Sequence, residues 1–336
     1  MNVEHLLDVF TTIDADSDHV WNACVNFMKH LYWHKEQLVA PKPKIDGLPD
    51  DHRFKPECLF QLLQLCDSVG NRAECKRLLT HALKLWRERR SDYQVAKTLM
   101  GLSEANSLID LHEEGIQQAQ EALRIYERFG DMRRQADCLI CLAFLLRKDN
   151  QLDTAEEAAF RAIGLLPETG EQHRVCESHR ILGGIYRSKG ETEKAIHHSE
   201  VALGIASPFN WHDVLFWNHS NLTGLFRDEG KFDETQAHIE HAKLHTANST
   251  FNLGRATEEQ AGLWCMQHRP EEARTEVLRA VEIYDKLGAT EDAERCRNLS
   301  QGIEKELSTL VTSGQSGSNC ELLQAVLLLP CVDSSF

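Results

Sequence analysis

The chain has 336 residues, 42% of them hydrophobic, with 37 basic against 52 acidic side chains and a formal charge of −15. The apolar share is enough for a core, which excludes a disordered chain. The acidic balance excludes a nucleic-acid binder or a protein docked on anionic membranes, since both need a basic surface, and it favours solubility. No run of about 18 apolar residues is present to span a bilayer. The start, MNVEHLLDVF, lacks the early Lys or Arg of a secretory signal. The 11 cysteines are scattered rather than framed as in a small secreted domain, so a cytoplasmic protein with reduced thiols is expected.

Residues 1–54 read as an N-terminal helical segment and linker. Trp21, Cys24, Val25, Met28, Leu31 and Tyr32 recur at helical spacing between Val20 and Leu38. Pro41 and Pro43 stop that helix. From about residue 55 a repeat sets in. Ala82-Leu83, Ala122-Leu123, Ala162-Ile163, Ala202-Leu203, Ala242-Lys243 and Ala280-Val281 follow one another at intervals of 40, 40, 40, 40 and 38 residues. A fixed period in this range marks a repeat architecture.

Each unit over 55–289 reads as two antiparallel helices joined by a tight turn. In repeat one Leu59, Leu62, Leu63 and Cys66 face one way, Gly70-Asn71 turns the chain, and Cys75, Leu79 and Ala82 follow. The same turn position holds Asp110, Asn150, Gly190, Gly230 and His268 in later units. Repeat two carries Leu99, Leu102 and Asn106, then Gly115, Ala119 and Ala122. Repeat three carries Leu139, Leu142, Ala143 and Leu146, then Ala155, Ala159 and Ala162, with Pro167 past the helix end. Repeat four carries Leu182, Gly183 and Tyr186, then Ala195, Ser199 and Ala202. Repeat five carries Leu222, Thr223 and Phe226, then Thr235, Ile239 and Ala242. Repeat six carries Ala261 and Trp264, then Ala273, Val277 and Ala280, with Pro270 opening its second helix. Thr290 to Leu307 reads as a capping helix with Ala293, Cys296, Leu299 and Ile303 on one face. Residues 308–336 read as a flexible tail, Ser/Gly-rich and then apolar.

This pattern resembles the tetratricopeptide family, in which a leucine, a small residue and an aromatic on the first helix precede two alanines on the second. Leu182-Gly183, Tyr186, Ala195 and Ala202 carry the resemblance best. The period exceeds the family's usual length of about 34 residues, as in kinesin light chains. The resemblance implies an all-α solenoid, a right-handed superhelix of six helical hairpins, with a concave groove that binds a peptide or partner segment. More loosely, the overall pattern is similar to the C-terminal sensor region of fungal NLR-like signal-transducing ATPases, without their ATPase motifs.

Sites of chemistry are scarce. No Gly-x4-Gly-Lys-Ser/Thr loop and no Gly-x-Gly-x-x-Gly after a strand occurs, so no cofactor is expected. Cys138 and Cys141 form a C-x-x-C inside a repeat helix, where they read as core residues. His238, His241 and His245 share one helical face, with His197 and His198 one repeat earlier; they read as a polar stripe rather than a metal site. No nucleophile stands in a catalytic motif, so the chain is expected not to be an enzyme. The functional signal is a ladder: Arg147, Arg187 and Arg227 stand 40 residues apart at one first-helix position. By the resemblance that position faces the groove, and Arg180 and Trp217 join it there. The guanidinium groups are able to grip carboxylates or phosphates of a protein or peptide partner, with Trp217 as an anchor. Alternatively they pair with Asp149, Asp228 and other acids of the chain itself. A small-molecule receptor and a purely structural scaffold remain the other readings, and the sequence leaves the oligomeric state open.

Overall fold

The computed structural model describes 72–313, apart from 108–110, 167–169, 247–248 and 288, together with 49–51, 55–56 and 59. The expected helix over Val20–Leu38, most of the first helix of repeat one, the Gly70 and Asp110 turns, Pro167 and the apolar tail lie outside the described residues. Among those described, every regular element is helical, and the twelve α-helices follow one another as α1 (Arg72–Glu88), α2 (Asp92–Ser107), α3 (His112–Phe129), α4 (Met132–Lys148), α5 (Leu152–Leu165), α6 (Gln172–Ser188), α7 (Thr192–Ala206), α8 (His212–Asp228), α9 (Phe232–Leu244), α10 (Thr250–Met266), α11 (Pro270–Leu287) and α12 (Thr290–Ser313). The chain divides into two compact units at Asp149–Asn150. Within each unit successive helices pack against one another in chain order, and the fold is an all-α solenoid.

The turns follow from backbone sterics. Asn150, Gly190, Gly230 and His268 all take positive φ, at 60°, 74°, 71° and 57°, and each ends the first helix of its repeat. A left-handed residue at this point turns the last amides back onto the helix's own carbonyls: Gly190 N–H donates to Arg187 O and Glu191 N–H to Tyr186 O. A second series, Arg90, Gly130, Gly170 and Asn210, lies at the junctions between repeats, again 40 residues apart and again left-handed. Its first member, Arg90, is an unusual residue for positive φ.

The alanine frame is the core. Ala82, Ala122, Ala162, Ala202, Ala242 and Ala280 are all fully buried. In the second unit Ala202 of α7 packs with Cys176 of α6 and with Val214 and Leu215 of α8, so one small residue touches the first helices of its own repeat and of the next. The Cys176 thiol donates to Ala202 O across 3.0 Å. At the α6–α7 crossing, a Cβ on Gly183 would stand 2.6 Å from Ser199 Oγ. Small residues here set the interhelical distance, and larger ones fill the grooves on either side. Beyond α11, Ala293, Cys296, Leu299 and Ile303 of α12 complete the core formed by Ala261, Ala273, Val277, Ala280 and Tyr284. In the first unit Cys138 and Cys141 are fully buried free thiols, and Ser103 Oγ lies 3.2 Å from Cys141 Sγ. Burial raises both thiols far above their ordinary range, so they behave as core residues.

Candidate partner-binding site

The first helices of repeats four, five and six, α6, α8 and α10, belong to the second unit, and their charged side chains form a connected row. Arg187, in the last turn of α6, reaches α8 and donates to Asp228 Oδ2 at 2.7 Å. Arg227 takes the other oxygen of the same carboxylate, with Nη2 at 3.3 Å and Nε at 3.4 Å from Oδ1. One carboxylate thus lies between two guanidinium groups, which is how a fork of donors holds an anion. The Asp228 side chain is 41% exposed and that of Arg187 16%, whereas Arg227 is buried. Gly224 makes this possible. A Cβ at 224 would collide with the Arg187 guanidinium, so the missing side chain lets Arg187 lie flat on the α8 backbone.

The other expected site residues are placed differently. Arg180 is almost fully buried on α6 and donates to Glu177 Oε2 at 2.9 Å. Trp217 is 4% exposed, enclosed in a core with Phe216, Ala242 and Ala256. Arg147 is half-buried at the end of α4 in the first unit, its guanidinium 5.5 Å from the centre of the Phe144 ring.

Two constellations were not legible as sites in the sequence. On α10, Glu258 and Glu259 are both buried. Glu258 accepts from Arg295 Nε at 2.7 Å and Nη2 at 2.9 Å, from Tyr284 Oη at 3.1 Å and from Arg255 at 3.4 Å. Burial pushes the Glu258 carboxyl up, but Arg255 and Arg295 outweigh it and hold the group below its ordinary range. For Glu259, burial wins over Arg255 and the hydrogen bond from Ser220, and its carboxyl is raised. The second constellation is made of histidines. His179 and His198 meet Nδ1 to Nδ1 at 2.9 Å between α6 and α7, and His219 and His238 meet in the same way at 3.0 Å between α8 and α9. Both members recur after 40 residues, His179 with His219 and His198 with His238, but the second-helix histidines alone do not reveal their first-helix partners. Among the described residues no group of three or more His, Cys, Asp or Glu is placed to hold a metal ion, and no helix is long and apolar enough to cross a membrane.

The hairpins, their left-handed turns and the alanine frame make a tetratricopeptide-like α-solenoid fold. No protein-family model matches the sequence, and no curated protein sequence matches it. Solved structures match in fold. The Rap protein complexed with Competence and Sporulation Factor is similar at a TM-score of 0.64 and 15% identity, over 90% of this chain and 91% of that one. The quorum sensor NprR from B. thuringiensis, in its apo form, is similar at 0.58 and 12%, over 90% and 92% of the two chains. A tetratricopeptide repeat protein from Parabacteroides merdae is similar at 0.58 and 14%, over 80% and 97%.

Proposed function

We propose that the chain is a non-catalytic protein-interaction module of the cytoplasm, and that a partner segment lies along the first-helix face of α6 and α8. The observation that carries this reading is Asp228 held between Arg187 and Arg227. The two guanidinium groups are already arranged for a carboxylate, and Asp228 is exposed enough to be displaced by a side-chain carboxylate or phosphate of the partner. Arg187, partly buried, makes the contact, and the buried Arg180 and Trp217 support the helices that carry it. Arg147 holds the equivalent repeat position on α4 of the first unit. Rap in complex with Competence and Sporulation Factor supports binding as a use of this fold. A role as the sensor part of an NLR-like signalling protein rests on the loose likeness of overall pattern alone.

The test compares wild type with the double variant Arg187→Ala/Arg227→Ala as bait in native cell extract, after circular dichroism has shown equal helicity. The partner is expected to be lost from the variant, and from wild type at high salt, because charge-assisted contacts near the surface are screened. The same partner retained at the same strength by the double variant contradicts the assignment of the site.

A further inference from the structure

Repeats four and five share a side-chain stack found on no other described repeat. In repeat four His179 of α6 contacts His198 of α7, and the Tyr186 ring lies flat against His198, with centroids 5.2 Å apart and planes within 5°. In repeat five His219 of α8 contacts His238 of α9, and Phe226 lies flat against His238 with the same 5.2 Å and 5°. A lysine lies over each aromatic ring, Lys194 Nζ 5.0 Å from the Tyr186 centroid and Lys231 Nζ 5.6 Å from that of Phe226. Repeat five extends the stack: His219 also faces His241 at 5.1 Å and His245 at 6.0 Å, and His245 meets His212 Nδ1 to Nδ1 at 3.1 Å. Each pair joins the two helices of one hairpin.

An Nδ1···Nδ1 hydrogen bond needs one ring to donate and the other to accept. Two neutral rings of opposite tautomer satisfy it. A first added proton fits on the outer nitrogen of the donor ring and leaves the bond, but it puts a cation among stacked imidazoles. A second sets two N–H groups against each other, and the bond is lost.

The surroundings do little to neutralise such a cation. In repeat four the nearby charged and titratable groups are Glu156 of α5 and Lys194 and His197 of α7. Glu156 is already engaged by Tyr186 Oη at 2.5 Å and Lys189 Nζ at 2.5 Å. In repeat five the groups bearing on His219, His238 and His245 are further histidines, 212, 241 and 245. Acids of the packed elements include Asp233, Glu234 and Glu240 on α9 itself, and several have partners of their own: Asp213 holds Asn252 of α10, Glu229 holds Lys231, Asp228 holds Arg187 and Arg227, Glu240 holds Gln236, and Glu259 of α10 holds Ser220 and Arg255.

We propose that the two histidine–histidine–aromatic stacks are an acid-sensitive latch, which keeps the α6–α7 and α8–α9 hairpins closed while the imidazoles are neutral and lets them open on protonation. Consistent with this, burial first and the neighbouring histidines second push His179 down to about 4 and His219 down to about 3. Unfolded or opened chain, with ordinary imidazoles near 6.5, takes up protons that the closed hairpins refuse. Below that pH the closed state therefore loses about tenfold in population per pH unit for each such histidine.

Hydrogen–deuterium exchange on the full chain at pH 7.5 and pH 5.5, corrected for intrinsic rates, tests the latch. Faster exchange at pH 5.5 is expected in α6–α9, with α2–α4 unchanged. The double variant His179→Gln/His219→Gln is expected to flatten that pH dependence. Uniform exchange across all helices at both pH values overturns the proposal, as does an unchanged pH dependence in the variant. Should the variant fail to fold, imidazole NMR titration of wild type decides. His179 and His219 neutral down to the onset of opening support the latch, and both titrating near 6.5 in the closed protein contradict it.

Discussion

At the scale of single residues, the small side chains of the repeat frame separate packing from binding. Ala202 of α7 shares one core with residues of α6 and α8, so Ala202→Leu is expected to overpack the crossing and cost about 1–3 kcal/mol in chemical denaturation. Wild-type stability in that variant would remove the alanine frame from the core. Gly224 differs in kind. The atoms nearest to an added methyl there are the far end of the flexible Arg187 side chain, which gives way by leaving Asp228. Gly224→Ala is therefore expected to leave stability unchanged or raise it by up to about 1 kcal/mol through helix propensity. It should nonetheless weaken partner binding, because Arg187 is moved off Asp228. The arginine ladder was legible from its spacing, and pairing with Asp228 was one of the two readings that spacing allowed; Arg187 and Arg227 both take it. Whether Arg187 meets solvent or Asp228 depends on how closely α6 approaches α8, and spacing alone does not give that distance. Trp217 shows the same gap: its position in the repeat suggested an open face, while the packing of Ala242 and Ala256 encloses it.

At the scale of elements, periodicity carried most of the fold. The alternation of helix and turn at residues 150, 190, 230 and 268 needs only local chemistry, a left-handed residue after an amphipathic run. What stayed hidden is tertiary. α10 is buried almost throughout, and its charged residues are compensated by Arg295, a side chain 37 residues away on α12. No periodic pattern announces that pairing. Its energetics are predictable from the contacts. Glu258→Gln leaves Arg255 and Arg295 facing a neutral amide inside the unit, and it is expected to cost about 3–5 kcal/mol by thermal or urea unfolding. Glu259→Gln is expected to cost far less, since burial already favours the uncharged form of that carboxyl. Equal losses for the two variants would contradict this division of roles.

At the scale of the whole chain, the charge pattern and the buried imidazoles set how stability follows pH. His179 and His219 have folded-state values below the unfolded 6.5, at about 4 and about 3. Their contribution is complete above 6.5 and is lost as pH falls toward those values, at about 1.4 kcal/mol per pH unit for each. Urea midpoints measured from pH 7.5 to pH 5 should therefore decline, and a flat profile would show that the pairs do not resist protonation. The fold has similar solved counterparts at 12–15% identity, a level at which surface chemistry is free to differ. The account therefore depends most on which face of the hairpins meets a partner. A photo-crosslinking amino acid at Ser188, beside Arg187, and another at Glu200, on the exposed side of α7, distinguish the faces in cells. Adducts from 188 that disappear in Arg187→Ala/Arg227→Ala, with none from 200, are the expected result. Adducts from 200 that persist in the arginine variant would place the partner on the second helices and contradict the account.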